Sequence, residues 1–406
     1  MKIQFLSIAS EVLSGSVVNT NAAFISKKLG LNGYKISSHR VILDDRNEIK
    51  KTLLEAIKEF DFTIVTGGLG PTVDDLTKEC AVSAFDLTLE KSALIEKDLE
   101  MRFKGLRSID LESQVPKDCT LLLNTVGTAP GFIVEKNHHF IAFMPGVPRE
   151  AEAMLEGQLL PWMQKNLMSE VKFHKNYLVA HKNEADLNPL LEDLGIEFPE
   201  LECGIYPNYG YLYLTFTSQE AQVLAQVERK IEALLETFLI HHGSTIEEAL
   251  FNLLKEKGLS ISLAESCTGG HISALLTKIP DVSAVFQGAV VCYSNASKEE
   301  LLGVESTVLK EHGAVSLECS EALIKGCLKK FHTSCGISVT GIAGPTGGTV
   351  DRPVGTIFGS IAALGHIFSG RLPVRHRMKR EINILFSSNY LLAALYRYLT
   401  YQVIPF

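Results

Sequence analysis

The stretch "LSISLAESCTGGHISALLTKI" (259–279) decides the fold of the second half of the chain. Its apolar run up to Ala264 predicts a buried strand, its pair of glycines a tight turn, and "HISALLTKI" a helix. Ser266 and Cys267 therefore lie side by side where a strand gives way to a helix. Because α/β proteins bind ligands beyond the carboxyl ends of their strands, the stretch predicts a layered α/β domain with a site at this turn.

The segments around this stretch extend the same pattern. A capped helix is predicted for "GSTIEEALFNLLKEKG", with Ser244 or Thr245 at its start. Further strands are predicted for "AVFQGAVVCYS", "CGISVTG" and "GTIFGSIAAL", with "SLECSEALIKGCLKKF" as a helix between the first two. The sequence therefore predicts an α/β domain over residues 243–406.

The first part of the chain also alternates between strands and helices. The strands are "IQFLSI", "KISSHRVIL" and "DFTIVTGG", and the helices are "NTNAAFISKKLGLNG" and "RNEIKKTLLEAIKEF". This alternation predicts a parallel sheet covered on both faces in residues 1–170. The glycine-rich loop after Val65 would then lie at the ligand-binding edge.

Residues 171–242 follow a different order: strand, helix, a hairpin through Pro207 and Gly210, and a last helix. They carry no compact set of polar residues, so a spacer or dimerising role is expected rather than catalysis. The predicted fold is thus α/β, with two layered domains joined by a small α+β connector.

Composition excludes several classes of function. The chain has 406 residues and a formal net charge of −8, which argues against nucleic acid or an anionic membrane as its main partner. Its eight cysteines form no C-x-x-C pair, which speaks against a zinc or thioredoxin-like motif and for a reducing compartment. Without a signal peptide or an apolar run of membrane-spanning length, we expect a cytoplasmic protein.

The motif "TGGLGPTVDDLTKE" (66–79) combines glycines with acidic residues. Its glycines leave backbone N–H groups open to a phosphate, and the following helix presents its positive end. Asp74 and Asp75 could then hold a divalent cation. The alternative is a tight turn in which Asp75 caps a helix.

Either residue of the Ser266–Cys267 pair could be a nucleophile. Serine needs a base, and "YSNASK" (293–298) offers Lys298, which burial can help to deprotonate. The N–H groups of Thr268, Gly269 and Gly270 at the helix start would favour developing negative charge. Capping of the helix by the Ser266 hydroxyl is an equally acceptable interpretation. Cys267 would be more acidic at a helix start, but a cysteine is commonly a small buried residue.

A second glycine-rich loop, "VTGIAGPTGGTVDRPVGT" (339–356), follows a strand and suits a phosphate or ribose. Its candidate residues are Thr340, Gly341, Gly344, Thr346, Gly347 and Gly348. Further on, Arg371 and Arg375 could clamp a phosphate, although an exposed charge cluster explains them as well.

Several motifs agree in order with one family. "NTNAAF", "TGGLGPTVDDLTKE", "NTVGTAPGF" and "MPGVPRE" resemble the molybdopterin-binding-like domain at the start of CinA family proteins. "LAESCTGG", "FQGAVVCYSNASKEELLGV", "SVTGIAGPTGG" and "RPVGT" resemble the C-terminal CinA domain, a nicotinamide mononucleotide deamidase. For the segment between them the resemblance implies a KH-like module.

For the C-terminal domain, the resemblance implies hydrolysis of the nicotinamide carboxamide without a cofactor. Ser266 would be the nucleophile, Lys298 its base, and Tyr293 and Thr340 supporting residues. The substrate-binding residues would be Thr268, Gly269, Gly270, Gly341, Gly344, Gly347, Gly348 and the phosphate ligand Arg375. A homodimer acting on small nucleotides is expected.

For the N-terminal domain, the resemblance implies a nucleotide site that in some members is a metal-dependent ADP-ribose pyrophosphatase. The phosphate loop would comprise Gly67, Gly68, Gly70, Thr77 and Asn21, and the metal ligands would be Asp74, Asp75 and Glu11. Two departures weaken the expectation of hydrolysis: Ala9 and Ser10 replace the usual Gly-Asp, and Glu112 replaces a Gln. Two alternatives to an enzyme are a nucleotide-sensing or partner-binding protein and a molybdopterin-handling protein.

Overall fold

The computed structural model describes residues 1–170, 172–374 and 378–406. The chain forms two compact units, Met1–Lys172 and Phe173–Phe406. Both are built of sheets with helices against them, so the predicted α/β class is confirmed. Within the described ranges no helix is long and apolar enough to cross a membrane.

The first unit contains short strands and amphipathic helices in alternation. Its strands are β1 (Ile3–Ile8), β2 (Ile36–Ile42), β3 (Phe62–Thr66), β4 (Leu89–Lys91), β5 (Gln114–Pro116), β6 (Thr120–Leu122), β7 (Gly131–Lys136) and β8 (His139–Met144). Its helices are α1 (Ser10–Leu13), α2 (Thr20–Leu31), α3 (Arg46–Glu59), α4 (Thr77–Phe85), α5 (Ala93–Arg102), α6 (Ile109–Glu112), α7 (Pro148–Met154) and α8 (Leu160–Asn166). A π-helical turn, Leu155–Leu159, joins the last two helices.

The main sheet of this unit has the order β2-β1-β3-β8-β7-β6. Strands β1, β2, β3 and β8 are parallel, as the alternation predicts. At one edge of the sheet, β7 pairs antiparallel with both β8 and β6. The difference arises at Asn137 and His138, which both adopt positive φ and so form a two-residue hairpin turn between β7 and β8. Separate apolar clusters fill the two faces of the sheet.

The second unit begins with the connector segment and ends with a long helix. Its strands are β9 (Phe173–Ala180), β10 (Glu202–Pro207), β11 (Tyr211–Ser218), β12 (Leu239–Ile240), β13 (Ile261–Glu265), β14 (Phe286–Val291), β15 (Cys335–Gly341), β16 (Ile357–Ala363) and β17 (His366–Arg371). Its helices are α9 (Glu184–Glu197), α10 (Ala221–Leu235), α11 (Ile246–Glu256), α12 (His271–Leu276), α13 (Asn295–Leu302), α14 (Ser306–Glu311), α15 (Leu317–Phe331) and α16 (Arg380–Tyr401). Short 3₁₀ turns lie at Glu236–Phe238 and Val282–Ala284.

The five-stranded sheet of this unit brings three motifs to one edge. Its order is β14-β13-β15-β16-β17, and the first three strands are parallel. The carboxyl ends of β13, β14 and β15 therefore meet. The motifs that follow these strands, "SCTGG", "YSNASK" and "IAGPTGG", lie beside one another. Strands β16 and β17 complete the sheet as an antiparallel hairpin.

The connector shares its core with helix α16. Its antiparallel sheet has the order β10-β11-β9-β12. Leu178, Ala180 and Tyr211 belong to the same buried cluster as the apolar side chains of α16. Asn389 of α16 also donates to the carbonyl of Tyr209 at 2.9 Å, in the β10–β11 turn. The segment predicted as the connector, 171–242, therefore lies within the second unit from Phe173 onward.

Candidate functional site

The turn after strand β13 is held by the carboxylate of Glu265, which is completely buried. Its oxygen Oε2 accepts hydrogen bonds from the Thr268 hydroxyl at 2.8 Å and from the N–H groups of Gly270 and Ile272 at 3.1 and 3.0 Å. Oε1 accepts from the N–H and the hydroxyl of Ser273 at 2.9 and 2.6 Å. Five donors on one carboxylate fix the path of the chain from the strand into α12.

The two glycines of the turn have a backbone conformation that other residues avoid. Gly269 and Gly270 have φ of +63° and +99°, in the left-handed region. The N–H of Gly269 donates to the Ser266 carbonyl, and that of Gly270 donates to Glu265. The N–H groups of Gly269 and Gly270 therefore already have acceptors within the turn. Among the described residues, the backbone N–H groups of Cys267 and Thr268 have no backbone acceptor.

Ser266 and Lys298 are in contact. Lys298 lies in the first turn of α13, and its Nζ is 3.0 Å from the Ser266 hydroxyl oxygen. The same Nζ donates to the carbonyls of Cys292 and Tyr293 at 2.7 and 3.3 Å. Only 1% of Lys298 and 7% of Ser266 is exposed. In the described part of the chain no carboxylate forms an ion pair with Lys298.

This contact set suits proton exchange between the two side chains. A neutral lysine amine has two N–H donors and one lone pair. If the carbonyls of Cys292 and Tyr293 accept the two N–H donors, the lone pair faces the Ser266 hydroxyl. When Lys298 holds a third proton, it can donate that proton to a leaving group that lies next to the Ser266 hydroxyl. The distance of 3.0 Å is within the reach expected of a general base.

Cys267 has a different environment. Its side chain is 6% exposed, and burial raises the pKa of its thiol to about 12. A thiolate is the nucleophilic form of cysteine, so this thiol is inert at neutral pH. The geometry therefore favours Ser266 over Cys267 as the nucleophile.

Tyr293 reaches the site through its backbone rather than its hydroxyl. Its carbonyl accepts from Lys298, whereas the exposed phenol is 2.9 Å from the Arg380 guanidinium. Arg380 also donates to the carbonyl of Gly344 at 2.7 Å. This first residue of α16 thus links the loop after β14 with the glycine-rich loop after β15.

Thr340 is almost completely buried, and its hydroxyl donates to the carbonyl of Ala314 at 2.6 Å. Its described hydrogen bond is therefore to the loop at residues 313–316 and not to Ser266. Gly341 ends β15, and the loop that follows folds back so that the N–H of Ile342 donates to the Thr356 carbonyl. Gly344, Gly347 and Gly348 lie within this returning loop.

The first unit has a pocket of about 510 Å³ at the carboxyl edge of its sheet. Its walls include most of the predicted N-terminal site residues: Glu11, Asn21, Gly67, Gly68, Gly70, Asp74 and Asp75. Asn21 donates to the carbonyl of Gly146 at 2.8 Å, which ties the two sides of the pocket together.

Thr77 packs against Gly68 of this pocket, and the acidic pair Asp74 and Asp75 lines its rim. Thr77 is fully buried, and its hydroxyl oxygen has no partner in the described residues. A Cβ on Gly68 would lie 2.3 Å from that oxygen, so only glycine fits there. At the rim, the Thr72 hydroxyl oxygen is 2.5 Å from a carboxylate oxygen of Asp74 and 2.5 Å from one of Asp75, and the hydrogen bond to Asp74 lowers the pKa of Asp74.

Both halves of the chain match known domains. Residues 243–399 match the "CinA C-terminal domain", and residues 4–165 match the "Probable molybdopterin binding domain". A competence-damage inducible protein of Clostridium botulinum is 37% identical over 380 residues, which cover 91% of this chain and 93% of that protein. The chain belongs to the CinA family.

Two further proteins are similar to this chain. A CinA-like protein of Dictyoglomus turgidum is 35% identical, with 88% of this chain and 90% of that protein covered. Among solved structures, the competence/damage inducible protein CihA of Agrobacterium tumefaciens is 32% identical, with a TM-score of 0.36. That match covers 37% of this chain and 91% of the solved chain.

The predicted metal ligands of this CinA family member do not form a ready-made metal site. No group of three or more His, Cys, Asp or Glu side chains in the described ranges is placed to hold a metal ion. Ser10, which replaces the usual family Asp, donates through its hydroxyl and its N–H to Asp44 at 2.7 and 2.8 Å. Asp44 also lines the pocket. The described residues therefore contain no preformed three-ligand metal site, and Asp44 is a pocket carboxylate that sequence reasoning missed.

Glu112 is the other departure from the CinA pattern in this unit. It is 1% exposed, accepts a hydrogen bond from the pocket residue Thr128 at 3.0 Å, and has a second oxygen without a described partner. Burial raises its pKa. A protonated carboxylic acid here would resemble the amide that the family usually has.

Two arginine positions complete the comparison with the predicted site. Arg375 lies outside the described residues, so its role as phosphate ligand stays a prediction. Arg371 ends β17, where its guanidinium is 3.4 Å from the Thr356 hydroxyl. Arg380 was not predicted. Its position at the start of a helix that follows the last strand was the available signal.

Proposed function

We propose that the second unit hydrolyses the carboxamide of nicotinamide mononucleotide to the carboxylate, with release of ammonia. The observation that carries the proposal is the buried contact of 3.0 Å between Ser266 and Lys298, a lysine with two carbonyl acceptors and no described carboxylate partner. Membership of the CinA family, and the resemblance of this half to its deamidases, support the same reaction.

In the proposed reaction, the Ser266 oxygen attacks the carboxamide carbon while its proton passes to Lys298. The carbonyl oxygen becomes an oxyanion, for which the N–H groups of Cys267 and Thr268, which have no backbone acceptor, are the candidate donors at the turn. The C–N bond then breaks as Lys298 returns the proton to the nitrogen. Ammonia departs, and the acyl group remains bonded to Ser266 as an ester. Water attacks that ester by the same route and releases the carboxylic acid and Ser266.

The remaining part of the substrate is assigned to the glycine-rich loop and the arginines around it. The returning loop, 342–356, offers backbone donors for a ribose or phosphate. Arg380 stands between this loop and Tyr293. A guanidinium has five N–H donors, so the two described contacts leave others for a phosphate.

The proposal predicts that the purified protein releases ammonia from nicotinamide mononucleotide. One nicotinate mononucleotide should appear for each ammonia, because the reaction is a simple hydrolysis. A coupled ammonia assay and chromatography of the nucleotides measure the two products. A folded protein that binds the nucleotide but releases no ammonia would contradict the enzyme and favour a sensing role.

For the first unit we propose nucleotide binding without efficient hydrolysis. Its support is the pocket of about 510 Å³ with a glycine-lined wall, whose backbone N–H groups suit the phosphates of a ligand such as ADP-ribose. Metal-assisted cleavage needs carboxylates that hold the cation, and Ser10 now occupies one of those positions. The neighbouring Asp44 alone supplies a single charge there.

Restoring the missing carboxylate should restore hydrolysis. Ser10→Asp would place a second carboxylate beside Asp44, and a divalent cation would relieve their repulsion. We expect AMP release from ADP-ribose to rise by at least about 10-fold at saturating Mg²⁺ or Mn²⁺. Ala9 has extended backbone with φ of −167°, so Ala9→Gly should add nothing.

The release of AMP with Ser10 and with Ser10→Asp is best compared in the full chain carrying Ser266→Ala, because that substitution removes the proposed carboxamide hydrolysis. The double variant Ser10→Asp, Asp44→Asn is the matched control and should lose the gain. Brisk hydrolysis by the chain with Ser10, without any gain on its replacement, would contradict the proposal.

A further inference from the structure

We infer that Glu265 is a positioning residue for the nucleophile, because it joins the turn that carries Ser266 to the group that holds Lys298. The inference rests on the proposed hydrolysis at Ser266. Glu265 had no assigned role in the sequence motif, and its carboxylate does not contact Lys298 or Ser266 directly. Its effect must therefore act through the backbone that it holds.

The side chain of Glu265 fixes the nucleophile. All five of its donors lie between Thr268 and Ser273, on the C-terminal side of Ser266. On the other side, the N–H of Ser266 donates to the Val339 carbonyl at 3.0 Å. Ser266 is thus held between a strand contact and a carboxylate clamp, which limits its freedom to move away from Lys298.

The main chain of Glu265 reaches the base. Its carbonyl accepts from the N–H of Cys292 at 2.8 Å, and the Cys292 carbonyl accepts from Lys298 Nζ at 2.7 Å. One residue therefore contributes to the placement of both members of the pair. Small displacements of reacting groups reduce rates strongly, since catalysis depends on the geometry of attack.

Glu265→Gln keeps the shape of the side chain but replaces one acceptor oxygen with an NH₂ group. Because every group around it is a donor, at least one side of the turn must shift. We expect kcat for nicotinamide mononucleotide to fall by about 10- to 100-fold, with KM changed by less than about 3-fold. The rate of Ser266 labelling by a fluorophosphonate, read by mass spectrometry, should fall in parallel.

A matched control separates positioning from stability. Thr245→Ala removes the cap of α11, whose described hydrogen bond is from the Glu248 N–H, and should lower the melting temperature without changing kcat at 25 °C. If Glu265 were merely structural, Glu265→Gln would behave like this control. An unchanged kcat and labelling rate in Glu265→Gln would overturn the inference even if the unmodified protein hydrolyses the nucleotide.

Ser273 provides a milder test should Glu265→Gln not fold. Ser273→Ala deletes the hydrogen bond of 2.6 Å to Glu265, and we expect kcat to fall by about 3- to 10-fold. Ser273→Thr keeps the hydroxyl and should restore the rate. Equal rates for the alanine and threonine variants would contradict the inference. Absence of any hydrolysis in the unmodified protein would instead contradict the proposed function.

Discussion

Ser266→Ala and Lys298→Met are each expected to lower carboxamide hydrolysis by at least about 10³-fold, because members of one catalytic unit fail together. Alanine removes the attacking oxygen, and methionine removes the proton carrier that lies 3.0 Å from it. The double variant should be no slower than either single variant. Initial rates of ammonia release, with nicotinamide mononucleotide in excess, measure the effect.

Folding must be checked separately for the lysine variant. Lys298→Met leaves the carbonyls of Cys292 and Tyr293 without their lysine donor, and the buried carbonyl of Cys292 then costs about 1–3 kcal/mol. Circular dichroism and a thermal melt would show whether the loss of activity reflects unfolding. Ser266→Ala leaves both carbonyl contacts in place and so tests the chemistry with less risk.

Cys267→Ala is the control at the neighbouring position and should retain activity within about 3-fold, the size of a packing effect. With a pKa of about 12, the thiol is almost fully protonated at pH 8, so iodoacetamide should react slowly and faster as the pH rises toward 12. Lost activity in Cys267→Ala together with an active Ser266→Ala would reverse the assignment of the nucleophile.

Free nicotinamide is expected to be a much poorer substrate than its mononucleotide, with kcat/KM lower by at least about 10³-fold. The carboxamide is the same in both, but only the mononucleotide has a ribose and a phosphate whose binding can orient the amide against Ser266. Steady-state kinetics with both compounds measure the ratio. Equal turnover would show that the site reads the pyridine ring alone.

The ratio of kcat/KM for the mononucleotide to kcat/KM for free nicotinamide also tests which arginine binds the phosphate. Arg380→Leu should reduce kcat/KM for the mononucleotide and leave the slow turnover of free nicotinamide unchanged, if its guanidinium binds the phosphate. Arg375→Leu makes the corresponding test of the residue that the family resemblance assigns. Arg371→Leu extends the test to the guanidinium that lies 3.4 Å from the Thr356 hydroxyl, at the end of the returning loop.

The meeting of Ser266 and Lys298 follows from features that a sequence displays. Each residue comes shortly after an apolar strand, and the strands β13 and β14 are parallel neighbours whose carboxyl ends share an edge. The pattern predicts that the two motifs lie close together. It cannot predict a contact of 3.0 Å, because that depends on the rotamer of Lys298 and on the two carbonyls that hold it.

Other parts of the site depend on long-range contacts that leave no local pattern. Arg380 and Tyr293 are 87 positions apart, and the sequence of neither segment predicts the contact between them. The role of Glu265 was hidden because a sequence does not reveal how many donors converge on one carboxylate. The antiparallel edge of the first sheet was missed because the turn at Asn137 and His138 lacks the glycine that usually marks a hairpin.

Helix α16 has a consequence for how the chain can be divided. The match to the CinA C-terminal domain begins at residue 243, whereas the packed unit that contains it begins at Phe173. A fragment cut at the inherited border would expose the apolar face of α16 that Leu178, Ala180 and Tyr211 now cover. It would also lose the contact of Asn389 with the hairpin. In this chain, the family match and the packed unit begin at different places, and the connector covers part of the helix that begins with Arg380.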